Sequence, residues 1–313
     1  MNRKIAVLIP CYNEEITIKK VIKDFKKALP KASIYVYNNN STDKTKEIAL
    51  KEKVIVKDEY LQGKGNVVRS MFRDIDADVY VLVDGDDTYP ADEVNKLVGP
   101  VLDGKADMVI GDRLSSTYFT ENKRPFHNTG NKLVRNLINH LFKSEINDIM
   151  TGYRAFSKRF VKCMPVMSQG FQIETEMTIF SLVYNMNIVE VPITYRDRPE
   201  GSVSKLNTYG DGFKVLITLF NLFKDNRPFL FFGVISSVLF ILGLLVGAPV
   251  IIEFAKTAYI TKVPSAILAV GLILNSFILF SAGLIMDAVK NKTRFMYECQ
   301  MNQIIENLNR KEK

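Results

Sequence analysis

Short apolar runs alternate with amphipathic stretches along roughly the first 200 residues of the chain. The apolar runs have strand length and end at polar or glycine-containing positions. They predict strands at residues 5–9, 33–37, 54–57, 79–83 and 107–110. The amphipathic stretches predict helices at residues 14–29, 42–50 and 65–73, and Ser41 or Thr42 is the expected cap of the second. Strands that alternate with helices predict an α/β domain with a mostly parallel sheet.

The last third of the chain has a different pattern. Residues 228–252 and 263–286 contain no charged side chain, and each stretch is long enough to cross a hydrocarbon core of about 30 Å as a helix. We therefore expect a transmembrane hairpin with spans at about 229–252 and 264–286. The link between the spans carries two basic residues and the outer flanks carry five, which places both flanks in the cytoplasm.

This pattern divides the chain into four parts. Residues 1–208 form a globular domain on the cytoplasmic side, residues 209–227 lead into the membrane, residues 228–289 form the hairpin and residues 290–313 form a cytoplasmic tail. The lead-in segment is apolar on much of its surface. It fits an amphipathic helix in the membrane interface and, equally, a core helix of the globular domain.

Composition narrows the classes of function. The 313-residue chain has a formal net charge of +8, which suits nucleic acid, anionic lipid or a phosphorylated substrate. Zinc-finger spacing and a dense arginine stripe are both missing from the sequence, so nucleic acid is the weakest of these three. The three cysteines are widely separated and odd in number, which indicates free thiols in a reducing compartment.

The run 79–83 ends abruptly at three acids. A buried strand that delivers Asp84 and Asp86 at its carboxyl end places two carboxylates at the edge where α/β sheets bind ligands. Two such carboxylates suit a divalent cation that keeps several waters and also holds a diphosphate. An ordinary polar turn after a strand uses the same residue types.

Three other loops are expected at the same edge of the sheet. They are residues 10–15, residues 38–43 and the glycine-rich segment 63–65, whose amides and Lys64 ammonium offer a seat for an anion. Together with Asp84 and Asp86 they predict a nucleoside diphosphate site. Base and ribose would lie over the first two loops, and the phosphates would lie on a metal held by the acids.

These residues resemble the family 2 glycosyltransferases, which have the GT-A nucleotide-sugar-binding fold. The segment Ile9-Pro10-Cys11-Tyr12-Asn13-Glu14-Glu15 is similar to the family's PxYNEE entry, and residues 39–43 are similar to its D(D/N)xSTD loop. In this chain Asn38 replaces the usual acid. The segment Asp84-Gly85-Asp86 resembles the DxD motif.

Further segments resemble the polyprenyl-phosphate branch of that family. They are residues 111–113, 127–131, 148–154, 170–176 and 198–202. This branch contains dolichol-phosphate mannose synthases and bacterial undecaprenyl-phosphate glucosyl- and N-acetylglucosaminyltransferases, and the bacterial type carries a C-terminal hairpin. The resemblance covers nearly the whole chain.

The resemblance implies an inverting transfer of a sugar from a nucleotide diphosphate sugar, UDP-glucose or UDP-N-acetylglucosamine, to undecaprenyl phosphate. It implies Mg²⁺ or Mn²⁺ as cofactor and a multi-pass protein of the bacterial plasma membrane with a cytoplasmic catalytic domain. Partners would be the nucleotide sugar, the lipid phosphate, the membrane and, in a homo-oligomer such as a tetramer, further copies of the chain. No nucleic acid partner is expected.

The resemblance also assigns residues to roles. Asp84 and Asp86 would hold the metal, and Asp86, Asp148 and Arg113 would form the catalytic set. The acceptor phosphate would bind Arg113, Lys123, Arg124 and Asn128. The nucleotide sugar would bind Pro10, Tyr12, Asn13, Glu14, Asn38, Asn40, Gly63, Lys64, Asp84, Gly85, Glu176, Arg198, Ser202 and Lys205.

Plainer roles exist for several of these residues. Asp148 fits a turn or helix cap, and residues 196–205 fit a solvated connection to the membrane segment. Glu174 and Glu176 both lie at a predicted helix start, where acids are favoured by the helix dipole, and we expect only one of them to reach the sugar.

Four other kinds of function share features with lipid-linked transfer. A GDP-mannose-dependent synthase differs only in the donor. Processive polysaccharide synthases carry a Gln-x-x-Arg-Trp segment, whereas this chain has no tryptophan. A membrane-tethered nucleotide-binding scaffold would keep the nucleotide loops without turnover. The hairpin is also suited to contacts with an assembly or flippase partner, alongside catalysis.

Overall fold

The computed structural model describes residues 3–115, 127–199, 201, 217, 220, 221 and 223–311. The chain forms two compact units. The first contains Met1–Val215 with Ile304–Lys313, and the second contains Leu216–Gln303.

The first unit is built on a mostly parallel sheet, which confirms the predicted α/β fold. Its seven described strands are β1 (Ile5–Cys11), β2 (Ser33–Asn38), β3 (Ile55–Asp58), β4 (Val79–Leu82), β5 (Met108–Asp112), β6 (Arg154–Ser157) and β7 (Ile188–Pro192). Their order in the sheet is β3-β2-β1-β4-β6-β5-β7. Only β6 runs antiparallel to its neighbours, β4 and β5, among these strands.

Helices connect the strands and cover the sheet. The described helices of the first unit are α1 (Ile18–Ala28), α2 (Thr45–Lys51), α3 (Lys64–Asp74), α4 (Val94–Leu102), α5 (His127–Phe142), α6 (Lys158–Cys163) and α7 (Ile173–Val183). Helix α1 shows why they pack, because Ile18, Val21, Ile22 and Phe25 recur at helical spacing and are buried. Each such side chain contributes about 1.5–3 kcal/mol of transfer free energy when fully buried.

The predicted cap of α2 is wrong. This helix begins at Thr45, and the Asp43 carboxylate accepts a hydrogen bond from the Thr45 amide at 2.9 Å. The Ser41 hydroxyl instead accepts a bond from the Asn13 amide at 3.0 Å, and the Thr42 amide donates to the Asn13 side chain at 2.8 Å. These residues therefore join two loops of the sheet edge rather than start the helix.

Strands β6 and β7 extend the sheet beyond the five predicted strands. Because β6 is antiparallel to β4, its first residue, Arg154, pairs with Leu82 near the carboxyl end of β4. The loop that leads into β6 therefore lies at the same edge as Asp84. In this way a segment remote in sequence reaches the predicted ligand edge.

The second unit contains α8 (Pro228–Thr257) and most of α9 (Val263–Lys311), whose last residues, from Ile304, belong to the first unit. The two long helices pack on each other. Both are long and apolar enough to cross a membrane, and only 11% and 17% of their most apolar windows are buried. Small residues let them approach, since Gly243 faces Ile273 and the Ser236 hydroxyl donates to the Ser276 carbonyl at 3.0 Å. Helix α9 continues without a break from the second span to Lys311, within the predicted tail.

Candidate active site

The two acids after β4 each contact a different basic side chain. One Asp84 carboxylate oxygen lies 2.5 Å from the Lys64 ammonium, and one Asp86 oxygen lies 2.5 Å from the Arg198 guanidinium. Asp84 is the more accessible acid, because 28% of its side chain is exposed against 6% for Asp86. Each of these two acids therefore has a cation as partner.

Lys64 is the buried centre of a three-residue cluster. Its ammonium contacts Asp84 at 2.5 Å and Glu174 at 2.6 Å, and 9% of its side chain is exposed. Burial alone would lower the pKa of Lys64, but the two carboxylates raise it above its ordinary value. Lys64 is thus held as a cation by two acids from α7 and from the end of β4.

Gly152, in the loop before β6, allows this cluster to form. A Cβ atom at this position would collide with the Asp84 carboxylate and press on the Lys64 ammonium. The Gly152 amide donates to the Tyr89 hydroxyl at 3.1 Å. The loop is thereby fixed against the acid with no side chain between them.

Asp86 is held by its own turn. One of its oxygens accepts from the Thr88 hydroxyl at 2.7 Å and from the Thr88 amide at 3.2 Å. Burial and the neighbouring charge of Asp84 raise the pKa of Asp86, while Arg198 opposes them. The preceding carbonyl, of Gly85, accepts from Thr17 at 2.6 Å. This bond ties the acidic turn to the start of α1.

Arg113 and Asp148 form a second, buried ion pair. The guanidinium donates to Asp148 at 2.8 Å, and its centre lies 5.7 Å from the ring centroid of Tyr195. Tyr89 contacts both Arg113, at 3.5 Å, and Gly152. The structure thus joins Asp148 to Arg113 within the predicted catalytic set, and it joins Asp86 to Arg198.

Two residues without a predicted role position the Asp148 loop. The buried Arg154 guanidinium donates to the carbonyls of Ile149 and Thr151, at 2.5 and 3.0 Å, and burial lowers the pKa of Arg154 to about 10. The Glu190 carboxylate accepts from the amides of Asn147 and Asp148. Arg154 belongs to segment 148–154, which resembles the polyprenyl-phosphate branch, so the sequence pointed to its importance. Glu190 lies in a strand that the sequence pattern did not predict.

The second loop, residues 38–43, is joined to the segment before α3 by asparagine side chains. Asn38 donates to Asp58 at 3.0 Å, and Asn40 donates to the Tyr60 carbonyl at 2.9 Å. Asn39, which carried no predicted role, donates to two carbonyls and accepts from the Gly63 amide at 2.7 Å. Asn13 and Asn40 adopt left-handed backbone conformations, with φ of 54° and 59°.

The other predicted binding residues of β1 and its loop lie at the same edge. Pro10 pairs with Tyr37 in the β1–β2 register. Tyr12 is exposed, whereas Glu14 is buried and its amide donates to the Thr45 hydroxyl at 2.8 Å.

The acids of α7 separate as expected, but Glu174 is the one that contacts Lys64. The Glu176 carboxylate accepts from the amides of Met167 and Ser168, both at 2.8 Å. The segment 168–169 packs so closely on Gly63 and Gly65 that a Cβ at either glycine would collide with its backbone. The structure thus places Glu176 on the segment that covers the glycine loop, away from the Lys64 ammonium.

Four predicted residues lie outside the described part of the chain, namely Lys123, Arg124, Ser202 and Lys205. Asn128 lies in α5, and its side chain is also outside the description.

Asp84 and Asp86 suit a divalent cation that binds together with the donor diphosphate. The described residues contain no group of three or more histidine, cysteine, aspartate or glutamate side chains suited to a metal. Asp84 and Asp86 supply two hard carboxylates one residue apart, and a diphosphate and water would complete six oxygen ligands. This donor set suits a cation that arrives with its nucleotide rather than a metal held by protein alone.

The chain matches known proteins over the same region. Residues 6–164 match the family model described as Glycosyl transferase family 2. Glycosyltransferase AglJ of Haloferax volcanii is 34% identical over 230 residues, 73% of this chain and 75% of that protein. A dolichyl-phosphate hexose transferase of the same organism is 31% identical over 208 residues, 66% and 89% of the two chains.

A solved structure shows the same fold. Glucosyl-3-phosphoglycerate synthase from Mycobacterium tuberculosis, in complex with Mn²⁺, uridine-diphosphate and glucosyl-3-phosphoglycerate, has a TM-score of 0.57 at 20% identity. The match covers 70% of this chain and 80% of that one.

Proposed function

Because the chain belongs to glycosyl transferase family 2 and is therefore a glycosyltransferase, we propose that it moves a sugar from a nucleotide diphosphate sugar to polyprenyl phosphate. Its first unit has the GT-A fold predicted from the sequence. The observation that carries the proposal is the pairing at one sheet edge of Asp84 and Asp86 with the cations Lys64 and Arg198. A relative named for dolichyl-phosphate hexose transfer supports the lipid phosphate as acceptor.

The donor diphosphate needs its negative charge balanced as it leaves. A divalent cation on Asp84 and Asp86, Mg²⁺ or Mn²⁺, would supply Lewis-acid stabilisation of that charge. Lys64 and Arg198 add two positive charges beside the same acids. The joined loops 10–15 and 38–43 offer the place for the base and ribose, and resemblance to the bacterial branch favours uridine.

The acceptor is a phosphate monoester, whose second pKa near ~6 leaves it mostly dianionic at neutral pH. It can attack the sugar without a strong general base, and direct attack inverts the anomeric centre. Arg113 is the described cation suited to hold it, and Asp148 orients the guanidinium at 2.8 Å. Asp148 is therefore proposed to act through Arg113, alongside the predicted contacts of Lys123 and Arg124.

The two apolar helices are proposed to anchor the enzyme in a bacterial plasma membrane beside its lipid substrate. The excess of basic residues on the outer flanks supports a cytoplasmic position for the catalytic unit. Nucleotide sugars would then be available on the side where the site lies.

The test is transfer of radiolabelled sugar into undecaprenyl phosphate by the purified full chain in detergent. UDP-glucose, UDP-N-acetylglucosamine and GDP-mannose are offered separately with Mg²⁺ or Mn²⁺. We expect a chloroform-soluble product from one UDP-sugar, lost with chelator and in Asp86→Ala. Asp103→Ala, at an exposed acid paired with Lys105, is the matched control and stays active.

Each outcome separates the alternatives. Product from GDP-mannose alone would replace the proposed donor and keep the acceptor. Metal-dependent nucleotide binding without any transfer would contradict the proposal and favour the scaffold.

A further inference from the structure

The two cations at the acidic edge differ in their freedom to move. Arg198 lies in the segment after β7 that has no regular secondary structure, and 26% of its side chain is exposed. Lys64 is the first residue of α3, and its side chain is buried between segments from three parts of the chain. When a metal cation approaches Asp86, the partly exposed Arg198 side chain can move into solvent. The buried Lys64 side chain lacks that exposed route.

Glu174 decides what happens to Lys64 when Asp84 takes another cation. A buried ammonium requires a carboxylate partner, because loss of one member of a buried ion pair leaves an uncompensated charge. Glu174 is itself buried and lies 2.6 Å from the ammonium. With Glu174 present, Lys64 keeps a partner after Asp84 turns to a metal. Without Glu174, Lys64 depends on Asp84 alone.

We propose that Glu174 is a positioning residue that holds Lys64 and so leaves Asp84 available to the divalent cation of the donor complex. This role rests on the proposed function, since it concerns the metal at Asp84 and Asp86. Lys64 stays in place as a fixed positive charge beside the diphosphate. The phase of α7 explains why Glu174, and not Glu176, has this role: two residues rotate a helix face by about 200°.

Manganese affinity measures this role without turnover. The full chain in detergent is titrated with Mn²⁺ in the presence of UDP, and free Mn²⁺ is followed by electron paramagnetic resonance. We expect Glu174→Gln to weaken Mn²⁺ binding by at least about tenfold, a coupling typical of neighbouring charges. We expect Lys64→Met in the Glu174→Gln background to bind Mn²⁺ more tightly than Glu174→Gln alone, because the ammonium that competes for Asp84 is gone. A merely structural defect at Glu174 would not be repaired in this way.

Asp107→Asn is the matched control. Asp107 is also a buried acid near a cation, 3.6 Å from Arg159, but it lies just before the start of β5, at the opposite end of that strand from Arg113. Its replacement removes the same charge and is expected to leave Mn²⁺ affinity unchanged.

The outcomes distinguish this inference from the proposed function. Native protein that binds Mn²⁺ with UDP, together with an unchanged Glu174→Gln variant, would overturn the role of Glu174 alone. If Glu174→Gln weakens Mn²⁺ binding but Lys64→Met does not improve it, the role of Glu174 is overturned as well. Native protein that binds no Mn²⁺ with UDP would overturn both the inference and the proposed metal site.

Discussion

At the scale of single residues, Gly152 shows how closely the active-site segments approach. A methyl group there would collide with the Asp84 carboxylate and press on the Lys64 ammonium. We expect Gly152→Ala to lower transfer activity by about 10²-fold, because small displacements of catalytic groups have effects of that size. Gly99→Ala is the control: no atom lies within 4 Å of its added Cβ, and alanine favours the helix. Full activity in Gly152→Ala would show that Asp84 tolerates displacement.

Glu190 gives a prediction for pH. Burial raises the pKa of its carboxyl above the ordinary 4.5, although the amides of Asn147 and Asp148 oppose the shift. Between 4.5 and the higher native value the folded protein binds more protons than the unfolded chain, so this carboxyl lowers stability as pH rises. Glu190→Gln removes that titration. We expect its Tm relative to native protein to increase as pH rises from ~4 to ~7.

Thermal unfolding of the full chain in detergent across this range measures the effect. Glu145→Gln, at an exposed position near the same loop, is the matched control for the loss of one carboxylate. A difference for Glu190→Gln that falls with pH would contradict the raised pKa.

The sequence predicted the acids of this site but not their partners. Asp84 and Asp86 follow an apolar run, so their place at the strand end is a local property. The Lys64–Glu174 pair joins residues 110 positions apart, at the first turns of α3 and α7, so it depends on the tertiary fold. Neither spacing nor composition predicts which of Glu174 and Glu176 turns inward against a loop that the sequence does not place.

At the scale of elements, Asn39 links the loop after β2 to the segment that leads into α3. It donates to the carbonyls of Glu59 and Leu61 and accepts from the Gly63 amide. We expect Asn39→Ala to lower the free energy of unfolding by about 1–3 kcal/mol, because three part-buried hydrogen bonds to backbone groups would be lost. The weaker loop should also bind UDP less tightly.

Urea unfolding and UDP titration of the same variant measure the two effects. Asn95→Ala, exposed on α4, is the control and should remain within about 0.5 kcal/mol of native. Normal stability in Asn39→Ala would show that water replaces the lost bonds.

The two strands that the sequence pattern missed both carry a charged side chain that contacts the loop of Asp148. The burial of β4 on both sides gives it the uniform sequence Val-Tyr-Val-Leu. By contrast, β6 begins with a buried arginine and β7 carries Glu190 in its centre. Arg154 and Glu190 hold the loop of Asp148 by hydrogen bonds. Because these charged residues interrupt the apolar pattern, hydrophobicity alone does not predict the two strands.

At the scale of the whole molecule, the hairpin has a polar contact that a membrane would strengthen. The hydroxyls of Ser236 and Ser276 lie 3.2 Å apart and buried between α8 and α9. Hydrogen bonds and close packing at small residues such as Gly243 drive helix association in lipid, where apolar surface alone gives little preference. Most other side chains of the two apolar stretches face outward, as lipid-facing residues do.

The proposed orientation across the membrane can be measured with the cysteines of the chain. Cys299 is exposed, whereas Cys11 and Cys163 are buried. The outer flanks carry more basic residues than the link between the helices, so we expect Cys299 on the cytoplasmic side. A membrane-impermeant maleimide should therefore label the protein only after intact cells are permeabilised. Cys299→Ser controls for the two buried thiols and should remove the labelling.

The complementary variant tests the link between the helices. Thr261→Cys in the Cys299→Ser background places one exposed thiol between α8 and α9, and we expect it to be labelled in intact cells. The reverse pattern, with Cys299 labelled from outside, would place the catalytic unit away from cytoplasmic nucleotide sugars. Labelling of both positions only after permeabilisation would mean that the helices lie on one side of the membrane and do not cross it.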